Sequence, residues 1–180
     1  MLLASIDDRI AVWMATHRVE VLNDPTVWIG TIDRLGAVWI VLAVVVGVAR
    51  RCGAARIVLL AGFTALTTLA ADSASFAVKD LVDRTRPFVG HPEIHPLYAV
   101  HSSSFPAGHA ATSFAGATLL SYVAPRAAPL FVALAAAIGV SRVYDGVHYP
   151  TDVLGGAAIG IAVGAGAAGL LALARRRRSA

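Results

Sequence analysis

From Val153 to Ala174 the sequence VLGGAAIGIAVGAGAAGLLALA has no charged or hydrogen-bonding side chain, and it ends on four arginines, Arg175 to Arg178. An apolar helix of about 20 residues is long enough to cross the hydrocarbon core of a bilayer. A helix that is apolar on every side belongs in lipid or in the middle of a large core, and lipid allows only helices or closed barrels, because backbone groups find no water there. This last span is read from Thr151 to Ala174, and four apolar segments precede it, from about Leu35 to Ala49, Ile57 to Val78, His109 to Val123 and Pro129 to Val140. The third and fourth are short for a bilayer, so they are expected to tilt little and to extend into the interface. A hydrophobic content of 57 % and a mean hydropathy of +0.71 agree, both being well above globular averages. The predicted fold class is an all-α integral-membrane helical bundle of about five transmembrane helices. It forms one domain over 1–180, divided into an N-terminal interfacial segment (1–34), the bundle (35–174) and a basic tail (175–180).

Residues 1–22 mix apolar positions with Asp7, Asp8, Arg9, His17, Arg18 and Glu20, which is too polar for a span. No basic leader precedes an apolar stretch, so this is not read as a secretory signal. Leu3, Ile6, Ile10, Val12, Trp13 and His17 recur near helical spacing and predict an amphipathic helix in the interface. Packing of the same residues against the bundle is the alternative. NDPTVWIG predicts a turn at Asp24-Pro25, and Trp13, Trp28 and Trp39 read as interface anchors. Gly156, Gly160 and Gly164 form a small-xxx-small face that lets helices pack closely.

The net charge of +4 does not form a basic surface, since the arginines sit at the ends of apolar segments, and nucleic acid is not an expected partner. If five helices alternate, Arg50, Arg51, Arg56, Arg126 and Arg175 to Arg178 share one side, which the positive-inside rule makes cytoplasmic. The expected location is therefore a multi-pass cell-membrane protein with a cytoplasmic C-terminus. The opposite side receives Lys79, the only lysine, with Arg84, Arg86 and Arg142, against the topological preference. A lone cysteine, Cys52, excludes an internal disulfide and a cysteine-based zinc cluster.

Three segments reach that side. KDLVDRTRP carries Lys79 and Arg86; SSSFPAGHA has Pro106 opening a helix, Gly108 and His109 in its first turn; SRVYDGVHYPTD carries Arg142, His148 and Asp152, with Pro150 at a helix start. Two helix N-termini, three cations, two histidines and a carboxylate make an anion site with acid/base groups. The pattern K-x6-RP, PxGH and SR-x5-H-x3-D, in that order, resembles the three-part signature of the type 2 phosphatidic acid phosphatase superfamily. That superfamily includes membrane lipid phosphatases, bacterial diphosphate phosphatases and, on a soluble helical fold, vanadium-dependent haloperoxidases. The matching residues are Lys79, Arg86, Pro87, Pro106, Gly108, His109, Ser141, Arg142, His148 and Asp152, and the close resemblance runs from about Lys79 to Gly155. Ala107 stands where the family usually has serine. A lost hydrogen bond to a charged group costs about 1.5 to 3 kcal/mol, so reduced activity is expected. The Ala107 backbone and Gly108 are expected to contact the phosphate.

The chemistry follows from the residue types. Lys79, Arg86 and Arg142 supply the positive charge that a phosphate needs as electrons shift during attack. His148 is the candidate nucleophile, giving a phosphohistidine, and Asp152, four residues on, is placed to fix its tautomer. His109 would protonate the leaving oxygen and then deprotonate the hydrolytic water. The resemblance implies the same three roles. No metal or other cofactor is required, and there is no P-loop or DxD run. Prolines around His91, Glu93, His95 and His101 prevent a preformed helical ligand set, and the loop is better read as a substrate cover. Asp72 either pairs with Lys79 or is satisfied by a neighbouring helix.

The resulting expectation is an integral-membrane lipid phosphatase with its site on the extracytoplasmic face and the bilayer and a lipid phosphate as its partners. No obligate protein partner is inferred. A polyprenyl diphosphate is the first substrate expectation, with phosphatidic acid, phosphatidylglycerophosphate or a phosphorylated polyprenyl-sugar as alternatives. Two other classes share the anion site: a haloperoxidase binding vanadate, which five apolar spans disfavour, and a non-catalytic lipid-binding or transport protein.

Overall fold

The computed structural model describes residues 2–179, and they fold as helices joined by short connections. The helices are α1 (Leu2–Thr16), α2 (Asn23–Ile32), α3 (Ala37–Ala49), α4 (Ala54–Val82), α5 (Pro87–Gly90), α6 (Gly108–Val123), α7 (Ala128–Tyr144) and α8 (Pro150–Ser179). The expected turn at Asp24-Pro25 lies instead in the first turn of α2, where the N–H that proline lacks has no intrahelical use. The chain bends later, at Leu35 and Gly36, both at positive φ.

The core is built around α6, which packs against α8, α7, α4 and α3. Small residues make this possible, because Ala110, Ala111, Ala115 and Gly116 are buried along α6 and let neighbours come close. A Cβ added at Gly156, Gly160 or Gly164 of α8 would lie 2.3 Å from Ala107 O, 2.3 Å from Ala111 O or 2.6 Å from Ala115 O. The glycine face therefore packs backbone to backbone inside the bundle. On the other side of α6, Trp39 meets Phe131 edge to face at 6.4 Å, within a cluster that includes Val46, Leu120 and Ile138. Trp39 is fully buried, and a Cβ on Gly116 would approach it to 2.3 Å. Trp39 is thus a core residue and not an interface anchor, whereas Trp13 and Trp28 are exposed.

Three stretches are long and apolar enough to cross a membrane: Ala54–Gly90, Pro125–Tyr144 and Pro150–Arg177. The bent pair α2 and α3 would be a fourth. At 16 residues α6 is too short by this measure, so length and composition return three or four spans where the apolar runs predict five. Val58, Leu59 and Leu66 of α4, Leu130 of α7 and Leu154 and Leu170 of α8 point outward and exposed. An apolar belt of this extent suits lipid and not water.

Helix α1 packs one face against the bundle and leaves an apolar face uncovered. Ala11 and Ala15 pack against Ile94 and Tyr149, while Ile6, Ile10 and Trp13 remain exposed; the Leu3 side chain lies outside the described ones. The basic tail continues α8, and Arg175 sits over the Tyr122 ring near the C-terminal end of α6. The arginines thus lie at the end of the bundle opposite the first turn of α6.

Candidate active site

Two proline-directed turns deliver the charged groups. Arg86 precedes Pro87 and takes the extended backbone that a following proline imposes (φ −78°, ψ 155°). This aims its guanidinium back into the bundle, where it is almost fully buried. Its Nε donates to Ser102 O at 2.7 Å, Nη1 to Val147 O at 2.6 Å, and Nη2 to Ser102 Oγ and Ser103 O at 3.1 and 3.3 Å. Lys79 Nζ, on the last turn of α4, donates to Ser103 O at 2.8 Å.

Pro150 opens α8 and places Asp152 at its third position. There the carboxylate Oδ2 accepts the Tyr149 N–H at 2.8 Å, the acidic half of a capping box. Ser104 Oγ donates to the same oxygen at 2.5 Å, and Arg84 Nη1 donates to Oδ1 at 2.6 Å. So fixed, Asp152 Oδ2 lies 3.4 Å from His148 Nδ1, one helical turn away as the spacing predicts. His148 Nε2 faces the Arg86 Nη1 at 3.4 Å. Burial pushes the His148 imidazole down to about 4; the nearby Arg86 and Lys79 charges act in the same direction, against the hydrogen bond to Asp152. At neutral pH the ring is therefore uncharged, with its proton on Nδ1 toward Asp152 and its lone pair on Nε2.

Lys79, Arg86, Gly108, His109, His148 and Asp72 line one cavity of about 250 Å³, together with Tyr98 and Ser102. Gly108 is the first residue of α6, and a Cβ there would meet Asp72 Oδ1 and Ser75 Oγ at 3.5 Å. Asp72 thus faces the start of α6 across the cavity floor. His109 Nε2 lies 3.1 Å from Gly30 O, so the ring carries its proton on that nitrogen toward α2. A larger groove of about 660 Å³ runs along α1 past Ile6, Ile10 and Trp13 and contains none of these six groups.

Two site residues sit differently from their expected places. Arg142 lines a neighbouring cavity of about 370 Å³, which shares Tyr98, Val100 and His109 with the first. Its guanidinium donates to Tyr98 Oη at 3.1 Å and Thr26 O at 2.5 Å, and pairs with Asp145 at 3.1 Å. Ala107 is fully buried, and its N–H donates to Asp152 O at 2.9 Å, so that donor is already committed within the fold. The remaining donors at this helix start begin at Gly108, where first-turn N–H groups have no intrahelical acceptor.

Sequence reasoning left the serine run 102–104 unassigned, passed over Tyr98 and Asp7 as site residues, and placed Arg84 on the same side as Lys79 and Arg86 without a partner. The serine run beside PAGH was visible but had no spacing rule. Asp7 gave no signal at all, because its partners Arg84 and Thr151 lie 77 and 144 residues away in the chain.

An apolar helical bundle with a cationic, histidine-bearing cavity at one end defines an integral membrane protein built around an anion site. The chain belongs to the PAP2 superfamily, whose family model matches residues 56–176. It is 42 % identical over 89 residues to the decaprenylphosphoryl-5-phosphoribose phosphatase of Mycobacterium tuberculosis, a match covering 49 % of this chain and 48 % of that one. It is 32 % identical over 95 residues to phosphatidylglycerophosphatase B of Bacillus subtilis, covering 47 % and 44 %. The chain spans about half the length of the curated relatives it matches. In fold it is similar to the transmembrane PAP2 type phosphatidylglycerolphosphate phosphatase from Bacillus subtilis, with a TM-score of 0.70 and 23 % identity over 94 % of this chain and 86 % of that one.

Proposed function

We propose that this protein is a membrane lipid phosphatase that removes the terminal phosphate of a polyprenyl-linked headgroup at the outer membrane-water interface, through a phosphohistidine. The observation that carries the reading is the shared cavity: two cations, His109 and an Asp152-backed neutral His148 line the same space at the polar end of an apolar bundle. The lipid tail would lie against the exposed apolar belt while the headgroup enters from the interface. Site-side cations away from the arginine-rich end support an extracytoplasmic site and a cytoplasmic C-terminus.

In the first step His148 Nε2 forms a bond to phosphorus as the bond to the leaving oxygen breaks. Asp152 holds the Nδ1 proton of His148 and stabilises the charge that develops on the ring, and His109, entering the step as an imidazolium, gives its Nδ1 proton to the leaving oxygen while its Nε2 proton stays on Gly30 O. Lys79 and Arg86 face the phosphate oxygens, and Arg142 acts from the adjoining chamber. In the second step His109 takes a proton from water, the water oxygen bonds to phosphorus, and the N–P bond breaks to return neutral His148. Every proton and bond in this scheme is handled by side chains of this chain.

The test is phosphate release by the detergent-purified protein in EDTA, offering polyprenyl diphosphate, phosphorylated polyprenyl-sugar, phosphatidic acid and phosphatidylglycerophosphate in parallel. Release from a polyprenyl lipid that vanishes in His148→Ala is the expected outcome. Undiminished release by His148→Ala would sink the histidine mechanism, and a preference for a glycerophospholipid would sink the substrate assignment. The polyprenyl arm draws support from the relative named as a decaprenylphosphoryl-5-phosphoribose phosphatase.

A further inference from the structure

Helix α1 reaches the site through one carboxylate. Asp7 is buried to 3 % exposure on a helix whose neighbouring side chains Ile6 and Ile10 are exposed. Its Oδ1 accepts the Thr151 N–H at 2.9 Å, and its Oδ2 accepts from Arg84 Nη2 at 2.6 Å and from the Thr151 hydroxyl. Thr151 is the second residue of α8, and its N–H is one that a Ser, Thr or Asp at the cap usually satisfies. Tyr149 stands at that cap and has no side-chain oxygen near enough in the chain to serve. Asp7 supplies the missing acceptor from a different helix, while Asp152 supplies the other half of the cap.

Arg84 joins the two acids. Its Nη2 meets Asp7 and its Nη1 meets Asp152 Oδ1, each at 2.6 Å, with Thr151 Oγ1 at 2.7 Å and the Tyr149 ring 4.0 Å below the guanidinium carbon. A planar fork held on two carboxylates and an aromatic face has little freedom left. With Oδ1 occupied by Arg84, Asp152 presents Oδ2 to His148. The charge balance matters as well as the geometry: Asp7 and Asp152 together leave one net negative charge around Arg84, on the side of the ring that turns positive as Nε2 attacks.

We propose that Asp7 and Arg84 are positioning residues that set the Asp152 carboxylate against His148, so that the seating of α1 governs the nucleophile. The role of His148 rests on the function proposed above; the clamp itself does not.

The test uses the full chain in detergent with Asp7→Asn, Arg84→Lys and Asp7→Glu, and Asp8→Asn as control, since Asp8 faces His91 outside the site. Two readouts are taken. One is kcat and KM for the best lipid substrate. The other needs no substrate: the rate at which diethyl pyrocarbonate acylates His148, relative to exposed His17, followed by mass spectrometry. For Asp7→Asn, kcat is expected to fall at least about tenfold, the loss of one hydrogen bond to a charged group, with KM within about twofold. Acylation of His148 should slow by a similar factor. Arg84→Lys should move both readouts the same way, Asp7→Glu should recover part of the loss, and Asp8→Asn should match the wild type. Arg84→Lys also decides the matter if Asp7→Asn does not fold. Wild-type acylation of His148 in Asp7→Asn and Arg84→Lys overturns the proposal, whatever the phosphatase assay gives. A wild-type protein that releases no phosphate while the acylation rates still drop overturns the functional reading and leaves the clamp standing.

Discussion

Arg86 and Arg142 are both signature arginines, both buried, with 5 % and 1 % exposure, yet they are kept in different electrical states. Arg142 has a carboxylate partner, Asp145, at 3.1 Å and fully buried, and burial pushes that carboxyl up against the pull of the Arg142 charge. Arg86 is held by the carbonyls of Ser102, Ser103 and Val147, a serine hydroxyl and the His148 ring. Carbonyl dipoles fix a guanidinium in place without cancelling its charge, whereas an ion pair cancels most of it at a distance. The Arg86 cavity therefore keeps a positive field for an anion, from Lys79 and Arg86 against the single carboxylate of Asp72, whereas the Arg142 charge is largely compensated by Asp145. Signature spacing brings an arginine to the correct end of the bundle; its counter-ion decides how much charge the substrate meets.

The sharpest way to break this comparison is to replace each arginine by lysine. Arg86→Lys keeps the charge but cannot span four acceptors, and a fall of about 10³ in kcat/KM is expected, at the upper end for loss of one preorganised donor group. Arg142→Lys is expected to cost about tenfold, mostly in KM, because a compensated cation binds more than it catalyses. Equal losses in the two variants would mean that Arg142 leaves Asp145 and joins the phosphate, and that the resting arrangement misleads.

The parts that sequence discloses are those whose cause is local. The runs behind α4, α7 and α8 are legible because a lipid-exposed backbone must satisfy itself within one segment, so apolar length alone implies a helix. His148 and Asp152 are legible because residues four apart at a helix start share a face. The glycine face of α8 likewise declares close packing. What stays hidden depends on another helix or on irregular backbone. Trp39 looks like an anchor until Gly116 of α6 is seen to leave it a slot. Tyr98 separates the two arginine chambers from within a stretch that has no periodicity to read. The Ala107 N–H reads as available to a ligand from the sequence alone, and in the fold Asp152 O takes it.

Ala107→Ser gives a smaller effect on the same contrast. It asks whether the Arg86 cavity lacks a donor. Ala107 is wholly buried beside the close α6 and α8 contact, and Ser102 Oγ already meets Arg86 at the cavity. A change in kcat/KM of no more than about threefold is expected, less than the factor of roughly ten or more that a full hydrogen bond to a charged group represents. A gain well beyond tenfold would show that the cavity was short of that hydroxyl.

The smallest effect is expected from acid. An imidazole at its ordinary value of 6.5 is about nine-tenths protonated at pH 5.5, and a nucleophile in that state loses about tenfold in rate. His148, pushed down to about 4 by burial and by the Arg86 and Lys79 charges, stays neutral there, so kcat/KM between pH 7 and 5.5 should change less than twofold through this group. Stability carries the same sign. Between 6.5 and about 4 the unfolded chain takes up a proton that the folded His148 refuses, so this contribution is complete above 6.5 and is lost as pH falls toward 4. The two arginines should separate here too. Arg86→Gln removes a charge that faces Nε2 at 3.4 Å and should move the acid limb of kcat/KM upward, whereas Arg142→Gln, whose charge is paired with Asp145, should leave the limb in place. An acid limb that moves equally in both variants would place the two guanidinium charges at equal effect on His148, and the distinction between a carbonyl-held and a carboxylate-paired arginine would fail.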